Sequence, residues 1–395
     1  MKRLALDPTA ALAAIRSTLI DLETDNIATL AERAAGKPDL IALWYGEGDV
    51  VTPEYIRQAA KDALDQGQTF YVPQMAGHPA LTAALASYQS DLHGIALGED
   101  RTTITPSGMQ AVHLACTLLL QAGDNAVYVE PQWPNIRRAI EMAGAEARPV
   151  PLEMKGDDWT LDLDRLFDRC DARTRAIILS SPSNPSGWMA DLDLYRALIA
   201  FSRKTGIWII SDEVYSRLVF TGRAAPSLLQ VAEPEDHAMC INGFSKAWAM
   251  TGWRIGWLNH PASLAPVIRA MTQYMNSGTA AMIQAGALAA IQQGEPTVEM
   301  IRNRVKGGME AAYAVLGRSN SVVLPKKPGG GMYTFFRIEG EEDANRACLR
   351  MVEEASVGLA PGGMFGAEFK GWIRMCVARE PEQIAQACER LVGIL

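Results

Sequence analysis

Hydrophobic and polar positions along the chain follow two alternating periods. From about residue 50 to 290, stretches with apolar residues three and four apart alternate with short β-branched runs closed by turn residues. The runs cover 101–105, 125–130, 175–180, 207–211 and 239–242, and helical patterns cover 110–121, 133–143 and 192–205. Such alternation predicts an α/β fold, with a mainly parallel sheet covered by helices. Past the glycine-rich segment 328–331 the pattern changes. There 332–338 reads as a strand, 343–354 as a helix and 372–378 as another strand. Together with a helical N-terminal region this predicts a smaller α+β unit built from both chain ends. The expected division is 1–45 and 295–395 for the small unit and 46–294 for the large one. No repeat, low-complexity tract or long linker interrupts the pattern.

The 395 residues are enough for a large core. Their 37 Lys+Arg against 45 Asp+Glu leave a formal net charge of −8, without the basic footprint that phosphate backbones require, so no nucleic-acid partner is expected. At 48% hydrophobic and 21% charged, the composition is that of a soluble globular protein and not of a disordered one. Lys2 and Arg3 precede an Ala-rich run, but Asp7-Pro8 interrupts it before a secretory apolar region forms. The longest apolar stretch, 280–291, contains Gln284 and Gly286 and falls short of the roughly 18 residues of a membrane span. No membrane partner and a cytoplasmic location are expected. The six cysteines form no C-x-x-C and read as buried thiols of a reducing compartment. The five histidines never fall in H-x-H or H-x-x-x-H spacing, so no metal site is expected.

In doubly wound sheets ligands collect beyond the carboxyl ends of the strands. The first run exits into Thr105-Pro106-Ser107-Gly108 and straight into a helix, a cradle for an anion. The third run exits as Ser180-Ser181-Pro182-Ser183-Asn184-Pro185-Ser186-Gly187, the fourth as Ser211-Asp212-Glu213-Val214-Tyr215, and the fifth as Asn242-Gly243-Phe244-Ser245-Lys246. Asn184, Asp212 and Lys246 are 28 and 34 residues apart, about one βαβ unit each, so they emerge at one rim of one sheet. An aspartate ending an apolar strand is costly unless a cation waits for it.

With these motifs the chain resembles the fold type I pyridoxal-phosphate aminotransferases of classes I and II. The resemblance rests on S-x-x-N-P-x-G at Ser181 to Gly187, D-E-x-Y at Asp212 to Tyr215, and S-K followed by G-W-R-x-G-W at Ser245 to Trp257. Tyr71 with Gly77, the P-G-G-x-F-G element at Pro361 to Gly366, and Arg374 extend it over nearly the whole chain. It implies pyridoxal 5'-phosphate as cofactor, with Lys246 holding it as a Schiff base and later moving a proton. It further implies Asp212 on the ring nitrogen, and Asn184 and Tyr215 on the ring's phenolic oxygen. Trp133 would stack on the ring face, within a Gln132-Trp133-Pro134 context that departs from the family's usual one. Ser107, Gly108, Ser245 and Arg254 would hold the phosphate, with Met109 beside them. Tyr71 matches the tyrosine that reaches the phosphate of a neighbouring subunit and Ser277 matches another position that crosses the interface, which implies a homodimer with shared sites. Arg374 would capture the substrate α-carboxylate, with Gly46 on the opposite wall and Asn184 assisting.

The implied activity is transfer of an amino group from an L-amino acid to a 2-oxo acid by a ping-pong mechanism. A carbon–sulfur β-lyase or another eliminating enzyme on the same scaffold is the alternative. A cofactor-sensing DNA-binding regulator is disfavoured, because the 45 residues before Gly46 carry no helix-turn-helix pattern or basic patch. Gly46-Glu47-Gly48-Asp49-Val50 departs from the family's G-x-P-D-F at two positions. Where aspartate-preferring relatives place cations, this sequence has Met109 and Gln273. With Trp44, Tyr45 and Trp133 nearby, aromatic or large apolar donors are expected to be favoured over aspartate.

Overall fold

The computed structural model describes residues 26–395. Its strands, in chain order, are β1 (Ile41–Ala42), β2 (Thr102–Thr105), β3 (Asn125–Glu130), β4 (Glu146–Pro151), β5 (Glu153–Lys155), β6 (Asp158–Thr160), β7 (Thr174–Ser180), β8 (Trp208–Asp212), β9 (Ala238–Gly243), β10 (Gly256–Asn259), β11 (Val322–Val323), β12 (Tyr333–Ile338), β13 (Val357–Gly358), β14 (Ala360–Pro361) and β15 (Trp372–Cys376). Seven of them form one sheet in the order β2-β10-β9-β8-β7-β3-β4. Only β10 runs antiparallel to its neighbours. The five runs read from the sequence all lie in this sheet, within a residue or two of their expected ends.

Alternation along the strands builds the two buried faces. Ala126, Tyr128, Ala176, Ile178, Ile210 and Met239 pack under the helices Gly108–Leu119 and Pro134–Met142. Val127, Val129, Ile177, Leu179 and Ile209 face the other way, toward Tyr195, Leu198 and Ile199 of the helix Leu192–Thr205. A sheet buried on both faces explains why its strands read as nearly continuous apolar runs. That helix is capped by the Asp191 carboxylate, which accepts from the Leu194 N–H at 2.7 Å, and it ends at Gly206, whose φ of +77° suits glycine.

Two strands of the large sheet escape the sequence patterns. β4 reads Glu-Ala-Arg-Pro-Val-Pro, and its prolines and charges are tolerated because it is the edge strand. β10, Gly-Trp-Leu-Asn, is too short to show a period.

A four-stranded antiparallel sheet, β11-β12-β15-β14, forms the second layer, with the helix Ala344–Ala355 against it and the helix Pro381–Val392 packed on the helix Glu295–Leu316. β1 pairs in parallel with β13, which ties the segment before Gly46 to the C-terminal region. The part of the expected small unit that falls on residues 1–25 lies outside the described residues. Among the described residues no helix is long and apolar enough to cross a membrane, and no group of three or more His, Cys, Asp or Glu could hold a metal ion. All six cysteines are free.

Candidate active site

The carboxyl ends of β7, β8 and β9 lie side by side, because Ser180 pairs with Asp212 and Asp212 with Ile241 in consecutive parallel ladders. The chain leaving each strand therefore delivers Asn184, Asp212 with Tyr215, and Ser245 with Lys246 to one rim. They line a cleft of about 360 Å³ together with Gly46, Gly108, Met109, Trp133, Arg254 and Arg374. Arg374 comes from β15 of the second sheet. Its Nη1 donates to the Asn184 side-chain oxygen at 3.0 Å and its Nη2 to the Trp44 carbonyl. The Tyr215 hydroxyl lies 3.5 Å from the Asn184 amide nitrogen and 2.8 Å from the Tyr333 hydroxyl. Lys246 Nζ donates to the Gly46 carbonyl at 2.6 Å.

The charges in this cleft are not paired with one another. Arg374 is 0% exposed, and among the described residues no carboxylate lies within ion-pair distance of it and its Nε has no hydrogen-bond partner. A buried guanidinium without an anion is costly, so this arrangement suits an anionic ligand. Asp212 accepts a bond from the Val214 N–H at 3.2 Å and makes no ion pair among the described residues. Burial pushes its carboxyl from 3.8 up to about 6, against the pull of that backbone bond and of Lys246. Burial likewise lowers the Lys246 amine from 10.5 to about 8. The helix Gly108–Leu119 presents its N-terminus to this cleft, which Ser245 and Arg254 also line. Gly256 is required there: a Cβ would stand 2.6 Å from the Gly108 nitrogen and crowd the helix start.

Residues 39–391 match the family described as aminotransferase class I and II. The chain belongs to that family. An aspartate aminotransferase of Pyrococcus horikoshii is 29% identical over 381 residues, covering 95% of this chain and 96% of the relative. An aromatic-amino-acid aminotransferase of Thermococcus litoralis is 28% identical over 385 residues, covering 97% and 98%. The crystal structure of an aspartate aminotransferase from Thermotoga maritima superposes with a TM-score of 0.88 at 27% identity, covering 96% of this chain and 99% of that one. The resemblance read from the motifs, the fold type and the enzyme class all stand.

Members of this aminotransferase family use pyridoxal 5'-phosphate, and the donor set fits it. The cleft is lined by a buried carboxylate that makes no ion pair among the described residues, by a helix N-terminus with a guanidinium, and by a buried amine. These match a protonated ring nitrogen, a phosphate and an aldehyde.

Not every residue named from the sequence lines the cleft. Ser107 uses its hydroxyl as the helix cap, accepting from the Gln110 N–H at 3.0 Å. Tyr71, Gln273 and Ser277 are exposed and do not line it within one chain. Trp44 is core: it is 3% exposed, and a Cβ on Gly358 would strike its ring at 2.3 Å. Tyr45 and Trp133 do line the cleft. Tyr333, which lines it from β12, is marked by no motif. Its segment, Tyr-Thr-Phe-Phe-Arg-Ile, does not alternate regularly and is buried at every position but Arg337, so no period marks which face looks into the site. Gln132 is also in the wall. Its backbone N–H donates to the Phe365 carbonyl at 2.9 Å, fastening the Trp133 loop to the P-G-G-x-F-G element.

Proposed function

We propose that this protein moves the amino group of an L-amino acid to a 2-oxo acid by a ping-pong mechanism, and that it favours aromatic or large apolar donors over aspartate. The bound cofactor supplies an electron sink for the pair of electrons left when the substrate Cα–H bond breaks. Lys246 anchors it and, once free, carries the Cα proton, a task suited to an amine lowered to about 8. Asp212 holds the ring nitrogen's proton. Asn184 and Tyr215 donate to the ring oxygen, Trp133 covers the ring face, and Gly108, Ser245 and Arg254 take the phosphate, with Ser107 shaping that helix start. Arg374, with its fork of donors, takes the substrate α-carboxylate opposite Gly46. Residues 46–294 carry the cofactor in this reading, and 295–395 with the N-terminal segment form the smaller unit.

The observation that carries the donor preference is the count of cations in the cleft. Lys246, Arg254 and Arg374 line it, and each has a task in the common chemistry. None is left among the described residues of one chain for a second carboxylate. The remaining wall includes Tyr45, Met109, Gln132, Trp133 and Asn135. A desolvated carboxylate there would lack a charge partner, at a cost of several kcal/mol, roughly. Measured with 2-oxoglutarate, kcat/KM for phenylalanine and methionine is expected to exceed that for aspartate at least about tenfold. A tenfold preference for aspartate would sink this reading. Continuous release of pyruvate and ammonia without an oxo acid would instead identify a lyase.

We further infer a homodimer with shared sites. Support comes from Phe70 and Tyr71, adjacent aromatic side chains that are 84% and 82% exposed in the single chain and together form an apolar surface that a second copy would cover. Mixing inactive Lys246→Ala and inactive Tyr71→Ala protomers is expected to restore up to about one quarter of the wild-type activity, because a hybrid dimer holds one intact site. No recovery from subunits shown to exchange would mean that Tyr71 acts within its own chain.

A further inference from the structure

We propose that Tyr333 is a positioning residue that ties the substrate-carboxylate end of the cleft to the ring-oxygen end, by donating its proton to Tyr215 while its ring face supports Arg374. This inference rests on the roles of Tyr215 and Arg374 proposed above. Tyr333 is 1% exposed and stands at the start of β12, beside β15, with Phe335 paired to Arg374 in the register. Its hydroxyl is 2.8 Å from that of Tyr215, and the two rings meet edge to face at 5.7 Å. Each phenol has one proton to give. A Tyr215 that spends its proton on the ring oxygen must accept from another donor, and the 3.5 Å approach of Asn184 is the weaker contact. Tyr333 is then the donor of the pair, and its proton makes Tyr215 a stronger donor in turn.

The second contact is made by the same ring. The Arg374 guanidinium carbon lies 4.6 Å from the Tyr333 ring centroid, closer than to Phe365 at 4.8 Å or Trp133 at 5.3 Å. These faces fix the orientation of a cation that has no carboxylate partner, which pre-sets its fork for the substrate. The third contact explains Gly46. A Cβ there would stand 2.1 Å from the Tyr333 hydroxyl oxygen and 3.7 Å from Lys246 Nζ, so only glycine lets the tyrosine reach Tyr215 while its own carbonyl holds the amine. Tyr333 belongs to the four-stranded sheet and Tyr215 follows a strand of the seven-stranded one. Their hydrogen bond therefore spans the joint between the two layers.

The test uses the holoprotein with Tyr333→Phe, which keeps the ring and removes the proton, and Tyr333→Leu, which removes both. For Tyr333→Phe the pH midpoint of the cofactor's visible band is expected to rise by about half a pH unit, because the ring-oxygen anion loses support. The donor KM should stay within about twofold. Tyr333→Leu should raise that KM about fivefold or more, as the cation loses its closest face. In a Tyr215→Phe background, Tyr333→Phe should add no further shift of the midpoint. A midpoint within about 0.1 of wild type in Tyr333→Phe, an undiminished shift in the Tyr215→Phe background, or equal KM changes for Phe and Leu overturns the proposal. If the leucine variant does not fold, the two phenylalanine comparisons decide alone. A wild-type protein with no band that borohydride fixes on Lys246 overturns the cofactor roles and this inference with them. A wild type with that band and an unshifted Tyr333→Phe overturns this inference only.

Discussion

Replacing Lys246 by alanine is expected to abolish transamination, with kcat falling by about four orders of magnitude or more, while the protein still folds and still takes up cofactor without a covalent bond. Two functions sit on this one amine, and no neighbour can assume them. Its Nζ contacts the Gly46 carbonyl, and the other cations in the cleft are guanidiniums, which do not deprotonate near neutrality. Binding persists because Asp212 and the cradle at Gly108, Ser245 and Arg254 are untouched. The substitution also has a signature without cofactor. Burial lowers the amine to about 8, so the fold carries a protonation penalty below that pH which the unfolded chain does not. Between about pH 8 and 10.5 the unfolded state binds more protons than the folded one, and wild-type stability rises with pH. Relative to wild type, apo Lys246→Ala should therefore melt higher at pH 7 and lose that advantage toward pH 10.5. Turnover near the wild-type rate, or a melting difference independent of pH, would contradict the assignment.

The site was legible to the extent that its residues follow strands. Asn184, Asp212 and Lys246 each leave a parallel strand at the same rim, so spacing along the chain becomes proximity in space. Arg374 and Tyr333 reach the cleft differently, from a second sheet whose docking no local period encodes. Motif resemblance supplied Arg374, and nothing supplied Tyr333. The same limit applies to the fold. β3 and β7 are central and read clearly as apolar runs, whereas β4 is an edge strand whose prolines imitate a loop. Trp44 shows the opposite failure. Its neighbour Tyr45 lines the cleft, whereas Trp44, just past β1, packs into the core, where its carbonyl serves the site through Arg374.

Asp212→Asn is the second substitution with a large expected effect, and its two consequences run in opposite directions. Without cofactor the wild-type carboxylate is a burden, since burial raises its pKa from 3.8 to about 6 and only the Val214 N–H and the nearby Lys246 offset it. The folded state binds more protons than the unfolded one between these values, so stability falls as pH rises from about 4 to 6 and stays low above. The apo asparagine variant should match wild type near pH 4 and melt several degrees higher at pH 8, roughly the effect of a few kcal/mol at most in a chain of this size. With cofactor the order reverses. An amide cannot hold the ring nitrogen's proton by charge, so the ring accepts electrons poorly and Cα–H cleavage slows about a hundredfold or more. A substrate deuterated at Cα separates that step from binding, and its isotope effect on kcat should increase in the variant. A rate loss below tenfold, together with no pH-dependent gain in apo stability, would mean that the ring nitrogen has another partner than Asp212.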